Sequence, residues 1–208
     1  IRATVGAGLP VIPAIRKIQK SGPVVRVEGC FSGTMGVLCS AMESGIAFSE
    51  ALQYAYGKGY TEPDPRDDLS GMDMARKILI LSRISGYAGM LDRIKIERLF
   101  PEEMSRLSVS EFLDRSTGLD GVFRTRFIEA GRKGMTLRMV ASMEKGSCSV
   151  GLNAYPKNSP IGRLKGAEKL VILHGGNQDK QSIITGKGAG ADSAAADVLD
   201  DILEEFKI

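Results

Sequence analysis

Apolar positions along the first twenty residues change rhythm twice. A glycine- and proline-rich turn (Gly6, Gly8, Pro10, Pro13) gives way to Ile12, Ile15 and Ile18 at three-residue spacing, which predicts a helix within Thr4 to Lys20, stopped by Gly22-Pro23. Val24 to Cys30 is valine-rich and alternating, a strand pattern. A loop, Phe31 to Thr34, then leads to predicted helices at Val37 to Met42, Phe48 to Tyr56 and Gly71 to Ile84. Ile94 to Leu99 reads as a short strand, and Ser108 to Leu113 and Gly121 to Arg132 as helices, the first with a Ser-x-x-Glu capping box. Met135 to Met143 and Cys148 to Tyr155 flank the turn-forming Glu144-Lys145-Gly146-Ser147 and predict a hairpin. Lys169 to His174 and Ser182 to Thr185 are further strands, and Asp192 to Phe206 closes as an alanine-rich helix. Without a regular βαβ beat, these elements predict an α+β fold: a mixed, largely antiparallel sheet with helices packed on one face.

Composition narrows the function classes. In 208 residues, 43% are hydrophobic and 25% charged, the balance of a globular domain with its own core. The net charge of +3 is spread along the chain with no basic block, so no nucleic-acid partner is expected. No apolar run is long enough for a membrane span and no signal peptide opens the chain, so no membrane partner and a cytoplasmic location are expected. Cys30, Cys39 and Cys148 are an odd, widely spaced set without a Cys-x-x-Cys pair, which suggests a reducing compartment and no zinc site. His174, the one histidine, follows the apolar run Leu170 to Leu173 and reads as a packed or strand-edge side chain. The opening at Ile1, without methionine, reads as a fragment of a longer chain.

Two glycine loops invite a nucleotide. Val5-Gly6-Ala7-Gly8-Leu9-Pro10 lacks the third glycine of a dinucleotide fingerprint and carries Pro10 where helix and strand should pack, so it reads as a tight turn before a helix. Gly186-Lys187-Gly188-Ala189-Gly190 lacks the Ser/Thr and upstream glycine of a P-loop; what remains is a backbone that can approach an anion at a helix start.

The stretch that carries chemistry is Gly59 to Lys77. Two prolines and several carboxylates (Glu62, Asp64, Asp67, Asp68) form a loop that feeds a helix through Ser70, Gly71 and Asp73. Asp73 and Lys77 are four apart and share a helix face. That spacing alone describes an ordinary surface pair, and Ser70-x-x-Asp73 an ordinary cap. Lys77, however, abuts the apolar run Ile78 to Leu81, and a desolvated lysine can deliver a proton near neutral pH. The clustered carboxylates suit an ammonium group.

This run resembles the signature of homoserine dehydrogenases: glycine, aromatic, Thr-Glu-Pro-x-x-Asp-Asp-Leu-x-Gly-x-Asp, and lysine four residues on. Thr4 to Ile12, Gly29 to Thr34 and Gly186 to Asp201 are similar to further family segments. The resemblance implies an NAD- or NADP-dependent oxidoreductase that interconverts L-aspartate 4-semialdehyde and L-homoserine, on the route to threonine, methionine and isoleucine. It implies Lys77 as proton donor, with Glu62 and Asp73 holding the substrate, Asp68 nearby and Gly33-Thr34 lining the pocket. Gly59 and Gly190 would approach the cofactor, and the backbone carbonyls of Val5, Ala7 and Leu9 would bind a monovalent cation, sodium.

It further implies a homodimer built on the strands around Met135 to Tyr155, and a plastid location if the source is a plant. Family members carry an N-terminal Rossmann-type nucleotide domain with a second active-site lysine; neither is in this sequence, and Arg2 stands where an acidic residue is common. The expected organisation is a junction and dimerisation segment at 1–23, a catalytic domain at 24–185, and at 186–208 a C-terminal helix belonging to the nucleotide domain. The competing reading is a substrate-binding and dimerisation module without turnover.

Overall fold

The computed structural model describes residues 2–6, 8–176, 181–187 and 191–206. Its centre is a six-stranded sheet in the order β2-β4-β3-β1-β5-β6, with β1 Val24–Cys30, β2 Lys95–Ile96, β3 Met135–Glu144, β4 Ser147–Pro156, β5 Glu168–Gly175 and β6 Gln181–Lys187. Every pairing is antiparallel except that of β2 with β4. The expected α+β class holds, and the hairpin is longer than its apolar runs suggest, with Met135 opposite Pro156 and Glu144 opposite Ser147. Its two-residue turn works because Lys145 (φ 47) and Gly146 (φ 88) both adopt the left-handed conformation that such a tight reversal requires.

Alternation along the strands builds two unequal faces. Leu137, Met139, Ala141 and Met143 of β3, with Val171 and Leu173 of β5, face the helices and join the large core around Phe31, Phe48 and Phe112. Cys30, Val140, Leu170 and Ile172 face the other way, where Ile161 and Leu164 from the turn after β4 cover them together with Tyr155. The helices are α1 Val11–Gln19, α2 Gly33–Glu43, α3 Phe48–Gly57, α4 Pro65–Leu69, α5 Met72–Ile84, α6 Val109–Arg115, α7 Asp120–Arg132 and α8 Ala191–Phe206.

Several boundaries differ from the sequence pattern, each for a physical reason. The first helix starts at Val11, because the chain before it is a short 3-10 turn and the Pro10 position. α2 begins at Gly33 and not near Val37: Ser32 caps it, its side chain accepting the Met35 N–H at 3.2 Å. Gly36, a weak helix former, is needed there because a Cβ would lie 2.2 Å from the Gly166 carbonyl oxygen. α4 is a helix where the pattern suggested a loop, opened by Asp64 as cap and Pro65 at the first helical position. The strand expected over Ile94 to Leu99 shrinks to two residues, since by Leu99 the chain has left β4 and its N–H bonds the Leu69 carbonyl.

Candidate functional site

The acidic turn is held open by its own backbone. Asp64 accepts the Arg66 N–H, and the Arg66 guanidinium forks onto both Asp64 oxygens, which holds the Asp64 carboxyl below its usual range. The same guanidinium donates to the carbonyls of Met104, Ser105 and Leu107, tying α4 to the loop before α6. At the α4–α5 junction Gly71 takes φ 72, and a Cβ there would meet Ile96, Met139 and Val150 at 3.0–3.3 Å. The chain therefore turns directly on the sheet at a point where only glycine fits. α5 starts there with Gly71 at its cap position, and Ser70 Oγ accepts the Met72 N–H at 3.2 Å in place of a bond from the Asp73 N–H.

From that turn, Met74, Ala75, Ile78 and Leu81 enter the core and leave Asp73 and Lys77 on the outer face. Lys77 Nζ reaches Asp73 Oδ2 at 2.6 Å, with the lysine 23% exposed and the aspartate 56%. The lysine side chain is thus the more buried of the two, as its neighbours in the sequence suggested.

A second set of bonds brings the other candidates together. Thr34, buried in the first turn of α2, donates to the Tyr60 carbonyl at 2.7 Å. The Glu62 N–H donates to Asp68 Oδ2 at 2.8 Å. Burial, together with the Glu62 and Asp73 charges, pushes the Asp68 carboxyl above its ordinary value despite the bond it accepts from the Glu62 N–H. Glu62, Asp68 and Asp73 share the wall of a cleft of about 580 Å³ with Arg76, Ile96 and Arg98. Lys77 joins this cleft through Asp73 and is not part of its lining. A more apolar cavity of about 320 Å³, between α3 and α7, contains none of the predicted site residues.

The remaining candidates are placed as follows. Gly33 packs against Ala167, whose Cβ lies 3.4 Å from where its own would be. Gly59 ends the turn after α3 at φ 69 with open space around it. Val5 and Leu9 are buried beside α1, and the Leu9 carbonyl accepts the Val11 N–H at 2.7 Å. Ala7 and Gly190 lie outside the described residues. His174 sits partly exposed on the face away from the helices, with Nε2 3.7 Å from Glu28. All three cysteines are buried and unbridged.

Two residues escaped the sequence reading. Arg66 lay inside the motif without a local sign of the three carbonyls it reaches. Arg138 interrupts the apolar run of β3, a signal in itself.

Residues 10–203 match the model of the homoserine dehydrogenase family. The chain belongs to this family. It is 37% identical over 206 residues to the maize "Bifunctional aspartokinase/homoserine dehydrogenase 2, chloroplastic", covering 97% of this chain and 22% of that protein. It is 35% identical over 211 residues to the homoserine dehydrogenase of Saccharomyces cerevisiae, covering 97% of this chain and 59% of that one. Among solved structures, a Candida auris protein described as of unknown function superposes with a TM-score of 0.91 at 34% identity, over 97% of this chain and 59% of its own. The chain thus spans about a fifth of the bifunctional relative and three-fifths of the single-function one.

Proposed function

We propose that this chain is the substrate-binding and catalytic part of an enzyme that interconverts L-homoserine and L-aspartate 4-semialdehyde, serving threonine, methionine and isoleucine synthesis. The observation that carries the reading is the half-buried Lys77 side chain, whose ammonium lies 2.6 Å from Asp73 on the wall of the carboxylate-lined cleft. Glu62 and Asp73 hold the polar groups of the amino acid, with Asp68 fixing the Glu62 backbone behind them. In the reducing direction Lys77 gives its proton to the aldehyde oxygen, and in the oxidising direction it receives the hydroxyl proton.

NAD or NADP, when bound, supplies or accepts the hydride. The open left-handed turn at Gly59 fits close approach of such a group, because nothing lies within 4 Å of its Cβ position. Gly190 has the same assigned role. The nucleotide domain of the parent protein completes the site, with 186–208 belonging to that domain, 24–185 to the catalytic domain and 1–23 to the junction. Support comes from α8, whose Val198, Leu199, Ile202 and Phe206 are exposed in a row that another surface would cover. The carbonyls of Val5, Ala7 and Leu9 are oxygen donors suited to sodium, a hard cation. A homodimer through the lightly covered face of β3 and β4 completes the reading.

The test is NAD- and NADP-linked homoserine oxidation by the full-length parent protein and its Lys77→Ala variant. A fall in kcat of about 10²- to 10⁴-fold with homoserine still bound is expected. Wild-type protein that binds homoserine but does not oxidise it would make this a binding and dimerisation module.

A further inference from the structure

α7 carries one face that its neighbours only half cover. Asp120, Phe123, Phe127 and Gly131 recur at three- and four-residue spacing, and all four line the cavity of about 320 Å³ that α7 shares with the α2–α3 turn. At its buried end Phe48 and Phe123 stack with ring centroids 4.4 Å apart. There Asp120 ties α7 to α3 by accepting the Ser49 N–H and hydroxyl, both at 2.8 Å. Elsewhere the packing opens. Ile46 and Ile128 are 41% and 48% exposed, and a Cβ at Gly45 or Gly131 would meet nothing within 4 Å. A void of this size with aromatic and aliphatic walls is at the lower end of the range for small-molecule sites.

The charges around it are unequally committed. Glu43 pairs with Arg138 at 2.7 Å and with Lys165 at 2.9 Å, and Asp120 is bonded to Ser49, so neither acid is left for a ligand. Arg124 and Lys157 also line the cavity, and among the described residues neither side chain has an acceptor. Beside Lys157 the sheet supplies a sheltered donor. Met135 stands opposite Pro156, and the Lys157 N–H bonds the Gly134 carbonyl at 3.2 Å, which sets Lys157 at the same end of the sheet as Thr136. Thr136 is 2% exposed, and its oxygen accepts from Arg138 at 2.8 Å, so its hydroxyl proton is left to give elsewhere.

We propose that this cavity binds a small apolar acid, its ring or branched alkyl body between α3 and α7 and its single carboxylate at Thr136 and Lys157. Burial of the body supplies the attraction, and the uncommitted positive charge selects the anion. An amino acid is disfavoured, because its ammonium would find no free carboxylate. The cavity shares no lining residue with the acidic cleft, so the inference is independent of the homoserine chemistry.

The experiment titrates 3-phenylpropionate and 3-phenylpropan-1-ol, which replaces the carboxylate by a neutral alcohol, into the full-length protein carrying labelled isoleucine and methionine methyls. The NMR signals of Met42, Ile46, Ile128 and Met135 should shift saturably, while those of Met72 and Ile96 in the acidic cleft stay in place. The alcohol should bind about 3- to 10-fold more weakly than the acid. Lys157→Met should bring the acid down to the level of the alcohol and leave the alcohol unchanged. Gly131→Leu, which improves helix propensity while filling the opening, should abolish binding of both. Absence of saturable shifts, shifts at the cleft methyls instead, or equal affinities for acid and alcohol would each overturn the proposal. So would a Lys157→Met protein that binds the acid as wild type does.

Discussion

Asp68 shows how one carboxylate can serve the site at the expense of the fold. It accepts the Glu62 N–H and so shapes the acidic turn, yet burial and the neighbouring Glu62 and Asp73 charges raise its pKa. A carboxyl whose folded-state pKa lies above its unfolded value costs stability once ionised, and costs nothing below the ordinary value of 3.8. Asp68→Asn keeps an oxygen for the Glu62 N–H. It should therefore raise the melting temperature near pH 7, with the gain vanishing below about pH 4, while weakening homoserine binding. Thermal melts of both proteins across pH check this; an equal shift at every pH would mean that the charge is not the cause. Lys77 belongs to the same scale. Its spacing from Asp73 was legible in the sequence, but only packing of Met74, Ala75 and Ile78 into the core decides that Asp73, on the same face, lines the cleft.

At the scale of elements, the decisive piece is the α4–α5 junction. Gly71 must be left-handed, and its Cβ position is already crowded by side chains of β2, β3 and β4. Gly71→Ala should cost about 1–3 kcal/mol from backbone strain, and more where Ile96 and Val150 cannot shift. Urea denaturation measures that cost, and a loss of substrate affinity should accompany it, because the same turn aims Asp73. β1, α3 and the β3–β4 hairpin were readable almost residue by residue, since alternation, helical spacing and turn residues are local signals. α4 was missed because five residues are too few for a periodic pattern, although Asp64-Pro65 is a start signal. The first turn of α2 was missed because glycines mask it, and Gly36 is explained only by Gly166, far along the chain.

Across the whole molecule, Arg138 holds together parts that are distant in sequence. It is 2% exposed and pairs with Glu43 at 2.7 Å. It also donates to the carbonyls of Gly162 and Leu164, fastening the turn after β4 over the open face of the sheet. Glu43 joins α2 to that clasp, so the helix carrying Gly33 and Thr34 is anchored at its far end. Arg138→Met should destabilise by about 3 kcal/mol, since it leaves buried acceptors unmet. Lys165→Met, at the other and exposed partner of Glu43, should cost under about 1 kcal/mol. Chemical denaturation of the pair separates the two; equal losses would deny Arg138 its role. On α8, Val198, Leu199, Ile202 and Phe206 form a row of exposed apolar side chains. Among the described residues no helix is long and apolar enough to cross a membrane.

The sequence by itself determined the elements whose signals are short-range, the acidic motif from Gly59 to Lys77, and through that motif the family. Tertiary structure alone decided which charges count. Asp73 and Lys77 are four residues apart, so their meeting is a property of the helix. Arg138 and Glu43 are 95 positions apart, so their meeting depends on how strands are ordered in the sheet. Local propensity carries no information on that order. It is chosen by burial of both sheet faces, and the acidic cleft is assembled as its consequence.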